Sequence, residues 1–400
     1  MGACTSQEAL DSSKVVVIVG GGMAGLFLAK TLAAKGASVT LVDPKEYWDF
    51  AGVCASPRCA TEPADIDKHG YAGPYTAICA HIGVKFVQAS VHKVTNSGVT
   101  LANGENLAAS VVVVAIGGRY AGNHPWKAND EKETTRAARI ATFEELNRQI
   151  ESASTIVVSG AGLVGTEVAG EIKCKYPDKE VTLCGNLAPN ISPKLGAKTE
   201  SILANLGVAR LKGDRVVGDP SGGFVALKSG GTVKCDLHLP CAGFKFDNAI
   251  IADAFPDACD ARGQIITEPT LLVKGATRVF AIGDVVKVPE GMFKVPSGMM
   301  HCEAMAQTAA ANVVSFLKDG ISLSPLATEG EASPQSPSKM NIHPWKSKPS
   351  NTPCISAFGP GLAAGDMGMP SMIEDAISRN IKSTSFFEDN RVKFGYKKSW

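Results

Sequence analysis

Short β-branched runs alternate along this chain with Ala- and Leu-rich stretches of helical period, which predicts an α/β architecture. The first run, Val15–Val19, leads through three glycines into a helix expected over residues 23–32, and a second run, residues 38–42, ends at Asp43. Alternating segments at residues 84–91, 98–101 and 105–107 predict short strands of a sheet excursion. The unbroken apolar run at residues 111–116 predicts a parallel strand buried on both faces, and a helix is expected over residues 142–150. The opening pattern then recurs, with a strand at Thr155–Ser159, glycines, a helix through Lys173 and a strand at Glu180–Cys184. Residues 208–217, 224–228 and 232–239 predict further strands, Cys241-Ala242-Gly243 returns the chain to its first unit, and a last strand over residues 277–282 precedes an Ala-rich helix at 299–317. Residues 323–353 are rich in Ser, Pro and Lys and read as a linker. Beyond it, Met372, Ile373, Ala376 and Ile377 make a short helical stripe, and Phe386, Phe387, Phe394, Tyr396 and Trp400 gather among Lys393, Lys397 and Lys398.

The glycines carry the chemistry. Gly20, Gly22 and Gly25 form a G-x-G-x-x-G directly off a strand: the first permits the tight turn, the second lets backbone approach a pyrophosphate, and the third lets helix pack on strand. The helix start at Met23 and Ala24 supplies free N–H groups and a partial positive charge for a diphosphate. Asp43, about 20 residues on, stands where an acid accepts hydrogen bonds from a ribose diol. Gly160, Gly162 and Gly165, with Leu163 and Val164, repeat the turn. Here the acid position reads Gly185-Asn186, and no arginine stands nearby in sequence for a 2′-phosphate, so nucleotide choice stays open and leans to NADH. Two such turns imply two Rossmann-like dinucleotide-binding domains, the second inserted in the first, with electrons passing from one bound molecule to the other. Ala115 and Gly117 end a buried strand in small residues suited to a closely approaching cofactor, and Gly283-Asp284 ends another, placing a carboxylate where flavin ribityl hydroxyls can donate to it. The 299–317 helix directs its N-terminal dipole toward the flavin ring, and His301 and Met305 within it read as core packing.

Composition narrows the function classes. A formal net charge of +1 offers no electrostatic footprint for nucleic acid. The eleven cysteines are scattered, as small buried hydrophobes are in a reducing compartment, and no metal-ligand spacing appears. No run approaches the roughly 18 apolar residues of a membrane-spanning helix, and no secretion signal opens the chain. Met1-Gly2-Ala3-Cys4-Thr5-Ser6 instead fits N-myristoylation at Gly2, with Cys4 placed for a palmitoyl group; two acyl chains would hold the protein stably on a membrane. Cys54 and Cys59 form the C-x4-C spacing of redox-active disulfides, but Pro57 between them would disturb a helix, and His343-Pro344 has no acid within reach.

The runs 15–25 and 41–45, the stretch 156–183 (with Thr166-Glu167-Val168-Ala169-Gly170-Glu171-Ile172-Lys173 its most specific part) and the strand 279–284 together resemble the two-dinucleotide-domain flavoproteins. Within these the chain is similar to the apoptosis-inducing-factor-like and type II NADH dehydrogenase branch, and most of all to the ferroptosis-suppressor quinone reductases, over roughly residues 14–320. The resemblance implies FAD in a first domain (14–150 and 246–320), NAD(P)H in an inserted one (151–245) and a quinone as acceptor. A tail (1–13), a linker (321–353) and a C-terminal unit (354–400) on the membrane and quinone side complete the division. It adds Lys45 and Gly243 to the cofactor-binding residues and places Glu167 beside the nicotinamide–flavin contact. Lys348-Pro349 and residues 354–358 stand where the family meets its quinone, with insertions. The expected function is an FAD-dependent NAD(P)H:quinone oxidoreductase on the cytosolic face of lipid-droplet or plasma membranes, or in the cytosol if unmodified. The alternatives are a disulfide reductase using Cys54 and Cys59, and a slow redox sensor acting through partners. Oligomeric state is left open.

Overall fold

In the computed structural model, which describes residues 10–50, 55–120, 124–128, 131–187, 193–287, 299–319, 354–359 and 362–366, the first valine run is β1 (Val15–Val19). It turns into α1 (Met23–Ala34) and returns as β2 (Ser38–Asp43). After α2 (Ala55–Thr61) come β3 (Lys85–Gln88), β4 (Val111–Val114), β5 (Arg119–Tyr120) and α3 (Arg136–Ser152). Strands β4, β1, β2 and β3 lie side by side in parallel, with Val16 opposite both Val39 and Val111. Such a sheet must be covered on both faces, which is why its central strands β1 and β4 are nearly all valine. Leu26, Leu28 and Leu32 of α1 are fully buried; each contributes about 1.5–3 kcal/mol on leaving water.

The expected strand at 84–91 is in fact two. At Ala89, whose N–H bonds to the Asp43 carbonyl (3.0 Å), the chain leaves the parallel sheet, and Val91–Thr95 opens a separate antiparallel sheet with Gly98–Leu101 and Asn106–Ala108. Pro57 does not break α2. It is the third residue, in the first turn, where an N–H has no intrahelical partner in any case.

The second unit runs β6 (Thr155–Ser159), α4 (Leu163–Lys175), β7 (Glu180–Cys184), α5 (Pro193–Asn205), β8 (Ala209–Leu211), β9 (Leu237–Pro240) and β10 (Phe244–Lys245). Its parallel order is β8-β7-β6-β9. The expected strands 208–217 and 232–239 each divide between this sheet and an antiparallel sheet of Val216–Ser221, Phe224–Leu227 and Thr232–Lys234. The second division falls at Asp236, whose carboxylate accepts from the Ser154 and Thr155 N–H groups (3.0 and 2.8 Å) and fixes the corner where β9 enters. Strands β5 and β10 pair antiparallel between the units, and the Trp126 indole donates to the Pro240 carbonyl (2.7 Å).

The chain then returns to the first sheet as β11 (Val279–Ala281), at the edge beside β4. Helix α6 (Met299–Asp319) packs along α1 through small buried residues, Ala306, Ala309 and Ala310, that let the two axes approach. A hairpin of β12 (Cys354–Gly359) and β13 (Leu362–Asp366) ends the described chain, with β12 lying along α4 and β13 beside α5. The 372–377 stripe, the terminal aromatics, Gly2, Cys4, Cys54 and Lys348-Pro349 fall outside the described residues.

Helix α3 begins earlier than its apolar period suggests, because Thr135 caps it by accepting the Ala138 N–H (3.2 Å). This recruits Arg139, 1 % exposed, whose guanidinium meets Asp49 (3.3 Å) and Glu133 (3.2 Å) and lies 4.3 Å over the Phe143 ring. Replacing it with Leu leaves two buried carboxylates facing no cation. Arg139→Leu should lower unfolding free energy by about 3–5 kcal/mol in a denaturant titration; a loss below about 1 kcal/mol would show that water already reaches the pair.

Candidate active site

Both glycine turns are built the same way. Gly20 has φ +101°, and a Cβ there would stand 2.7 Å from the Ala115 carbonyl oxygen. A Cβ on Gly25 would overlap the Gly20 carbonyl oxygen. In the second turn Gly160 has φ +100°, its Cβ would stand 2.9 Å from the Ala242 methyl, and a Cβ on Gly165 would overlap the Gly160 oxygen. The middle glycines behave differently. At Gly22 and Gly162 the backbone is extended, and a Cβ would meet nothing within 4 Å. These two glycines face open space at the start of α1 and of α4, and neither helix has a side-chain cap or an acid in its first turn. Uncapped N–H groups beside open space fit a bound diphosphate.

Asp43 organises the first turn. Its Oδ2 accepts from the Gly21 N–H (2.7 Å), and its Oδ1 accepts from the Lys45 N–H (3.0 Å) and pairs with Lys45 Nζ (2.9 Å). The Tyr75 hydroxyl donates to the Gly21 carbonyl (2.7 Å), so both polar groups of Gly21 are held from outside the turn. Gly21 and Tyr75 were not among the expected residues. Tyr75 sits in a separate helix, 54 residues from Gly21, and no local pattern marks it.

On the other side of β1, Ala115 is buried beneath the turn, and Gly117 adopts φ +64° beside Lys127, which donates to the Ile116 (3.5 Å) and Gly118 carbonyls. Gly283, φ +78°, presses on the Ala24 methyl, and its N–H donates to the Met305 sulfur (3.1 Å), so Met305 locks the Gly283-Asp284 corner as well as packing the core. Met23, Leu163 and Val164 are half-buried at the two helix starts, Asp284 is half-buried, and Gly243, φ +88°, is exposed where β9 gives way to β10.

Glu167 is fully buried, in the second turn of α4 rather than the first, so contact with the helix terminus does not account for it. Tyr120, another residue that sequence reasoning missed, lies in β5, where the first unit pairs with β10 of the second. Burial pushes its hydroxyl well above the ordinary range, and Cys241, Glu167 and Asp284 add to the shift. One side chain thus lies in the field of a carboxylate from each unit.

The chain matches the profile of the pyridine nucleotide-disulphide oxidoreductase family over residues 14–309. It belongs to that family. It is 30% identical to Ferroptosis suppressor protein 1 of Xenopus tropicalis over 327 residues, covering 78% of this chain and 83% of that one. It is 25% identical to Apoptosis-inducing factor homolog B of Dictyostelium discoideum over 374 residues, 87% and 92% of the two chains. Among solved structures, the sulfide:quinone oxidoreductase of Aquifex aeolicus superposes with a TM-score of 0.60 at 16% identity, over 76% of this chain and 77% of that one, a likeness of fold. The protein is an FAD- and NAD(P)H-dependent oxidoreductase of the ferroptosis-suppressor and apoptosis-inducing-factor type.

One site feature of this family member corrects the sequence reading, and another adds to it. An arginine does stand at the ribose corner of the second turn: Arg210, on the neighbouring strand β8, donates to the Leu183 (2.7 Å) and Gly185 (3.1 Å) carbonyls. A second acid follows Glu167 at four-residue spacing on α4. Glu171 is 5 % exposed, with Arg58 of α2 3.8 Å away and Asp65 bonded to that same arginine (2.7 Å). Burial raises its carboxyl to about 7, Arg58 pulling it down while Asp65 and Glu62 push it up. Burial also lifts the thiol of Cys59 well above its ordinary range, with Cys241 and Cys302 raised likewise. Cys59 is therefore a poor thiolate near neutrality.

Gly25→Ala should cost about 1–3 kcal/mol of stability or more, because the new methyl must displace backbone. Gly22→Ala should leave the flavin-free protein at its original Tm and release flavin on gel filtration. Equal Tm losses in both would contradict the distinction between packing and cradling glycines. For Glu171, the folded form keeps its proton up to about 7 while the unfolded form loses it near the ordinary glutamate value of 4.5. Its contribution to stability therefore falls as pH rises between those values and is flat above, by about 3 kcal/mol in all. Glu171→Gln should remove that slope in urea midpoints compared at about pH 5 and pH 7.5; parallel curves would assign the proton elsewhere.

Proposed function

We propose that this oxidoreductase passes electrons from NAD(P)H through FAD to a lipid-soluble quinone at a membrane surface. The observation that carries the reading is the junction around Tyr120. There β5 of the first unit pairs with β10 of the second, Glu167 and Asp284 add to the field at the Tyr120 hydroxyl, and β12 lies along the helix that carries Glu167.

The chain's own contribution is placement. The uncapped start of α1 holds the FAD diphosphate, with Asp43 and Tyr75 fixing the turn that presents it. The uncapped start of α4 does the same for the nicotinamide nucleotide. FAD, when bound, would supply two-electron chemistry between the nicotinamide and a quinone. Glu167, fully buried on α4, would help to bind and orient the nicotinamide, and holding the two reactants in place would lower the barrier. The β12 segment, part of the stretch that resembles the family's quinone region, lies along this helix.

The membrane part of the proposal rests on Gly2 and Cys4. Among the described residues no helix is long and apolar enough to cross a membrane. Acylation of the tail would confine the enzyme to the cytosolic plane in which its acceptor dissolves.

Purified holoprotein should oxidise NADH several-fold faster when a soluble short-chain quinone is added, under argon to exclude oxygen. Gly2→Ala should move the cellular protein from membrane to soluble fractions without changing that turnover. Turnover indifferent to quinone would reject the acceptor, and an unchanged distribution would reject the anchor.

A further inference from the structure

The second nucleotide turn lacks the acid that normally ends its second strand, and the backbone disfavours one. Gly185 has φ +117°, a conformation that residues with a side chain rarely adopt, so an acid there would be strained. The next residue, Asn186, is turned away: its Oδ1 accepts from the Gly213 N–H (2.8 Å). A carboxylate nevertheless reaches this corner from α5. Arg210 Nη2 donates both to the Gly185 carbonyl (3.1 Å) and to Glu200 Oε1 (3.3 Å), and Arg210 Nε donates to Glu200 Oε2 (3.2 Å). A single guanidinium nitrogen therefore binds the end of the strand and the acid together. Lys212 Nζ stands 3.3 Å from Glu200 Oε2 on the solvent side.

We propose that Glu200 is the nucleotide-selecting residue of the second site: held by Arg210, it accepts the adenosine ribose hydroxyls of NADH and repels the 2′-phosphate of NADPH. The inference rests on the reading that the Gly160 turn binds a nicotinamide nucleotide, and adds which one. The exposures fit the roles. The Arg210 side chain is 11% exposed and Glu200 25%, so the arginine is the buried positioning residue and the acid is the part a ligand meets. Burial alone would raise the Glu200 carboxyl, but hydrogen bonds and charge from Arg210 and Lys212 outweigh it and hold it below the ordinary range, ionised at neutral pH. A carboxylate accepts from a vicinal diol, whereas a phosphate beside it meets like charge. Glu200 also masks two cations. Without it, Arg210 and Lys212 would face the same spot with nothing to neutralise them, and a pocket for a 2′-hydroxyl would become one for a 2′-phosphate.

The test compares wild type, Glu200→Gln and the double variant Glu200→Gln/Lys212→Ala, each as flavin-loaded full chain. Calorimetric binding of 2′-phosphorylated and unphosphorylated adenosine nucleotides is read beside anaerobic titration of the flavin with NADPH and NADH. Wild type should bind the unphosphorylated forms more tightly. Glu200→Gln should shift the NADPH-to-NADH affinity ratio by about ten-fold or more toward NADPH, the change falling in KM and binding constants rather than kcat, and the double variant should lose much of that gain. Lys212 is exposed, so its loss leaves folding intact; matching Tm values among the three establish that the ratio is not a folding effect. A ratio unchanged in Glu200→Gln, or a wild type that already prefers NADPH, would overturn the inference alone. A wild type that binds neither nucleotide would overturn the nucleotide-site reading and take this inference with it.

Discussion

A helix can lie against a strand as closely as α1 lies against β1 only where no side chain intervenes, and the molecule meets that constraint twice. Gly25 presses on the Gly20 carbonyl and Gly165 on the Gly160 carbonyl, each at a distance that a methyl group would abolish. The contact fixes where each helix starts. Each start then presents N–H groups without capping side chains toward the open side of the turn. Affinity for two diphosphates follows from packing, and the glycine between, free of neighbours in both turns, leaves the room. Residues far away in sequence hold this arrangement. Asp43 and Tyr75 grip Gly21 from two directions, and Met305 grips Gly283 from α6.

Helix α4 is the element the two units share. Its first turn is uncapped and follows the second glycine turn, its second carries buried Glu167, and its third carries Glu171, which reaches Arg58 in the first unit. The β12 strand lies along it as well. Buried charges on such a helix are costly unless paired. Glu171 meets that cost partly through Arg58 and partly by holding its proton up to neutrality. Arg139, by contrast, stays charged between two carboxylates of the first unit.

What could be read from the chain was local. The glycine spacing, the valine runs and the acid at residue 43 act within one βαβ unit, so their meaning survives without a structure. Features made by neighbours in space left no such mark. Arg210 and Glu200 belong to different elements, and no residue near Gly185-Asn186 in sequence announces them. Tyr120 lies in a two-residue strand whose partner is Phe244. Strands that switch sheets, at Ala89 and at Asp236, look continuous because apolar alternation persists across the switch while the hydrogen bonds do not. Pro57 was misread for a positional reason, since it falls in the one helical turn that tolerates it. Glu171 was within reach. An acid on the buried stretch of an interior helix signals a carboxyl that must find a cation or keep its proton, as Glu171 does.

The account stands on two dinucleotides meeting at the junction of Tyr120, Glu167 and Asp284. Its most direct test is the visible spectrum of the purified protein before and after one equivalent of NADH under argon. The account predicts a yellow protein whose flavin band bleaches in a single rapid phase. A protein that stays colourless after incubation with FAD, or a bound flavin that NADH and NADPH both leave oxidised, would contradict it.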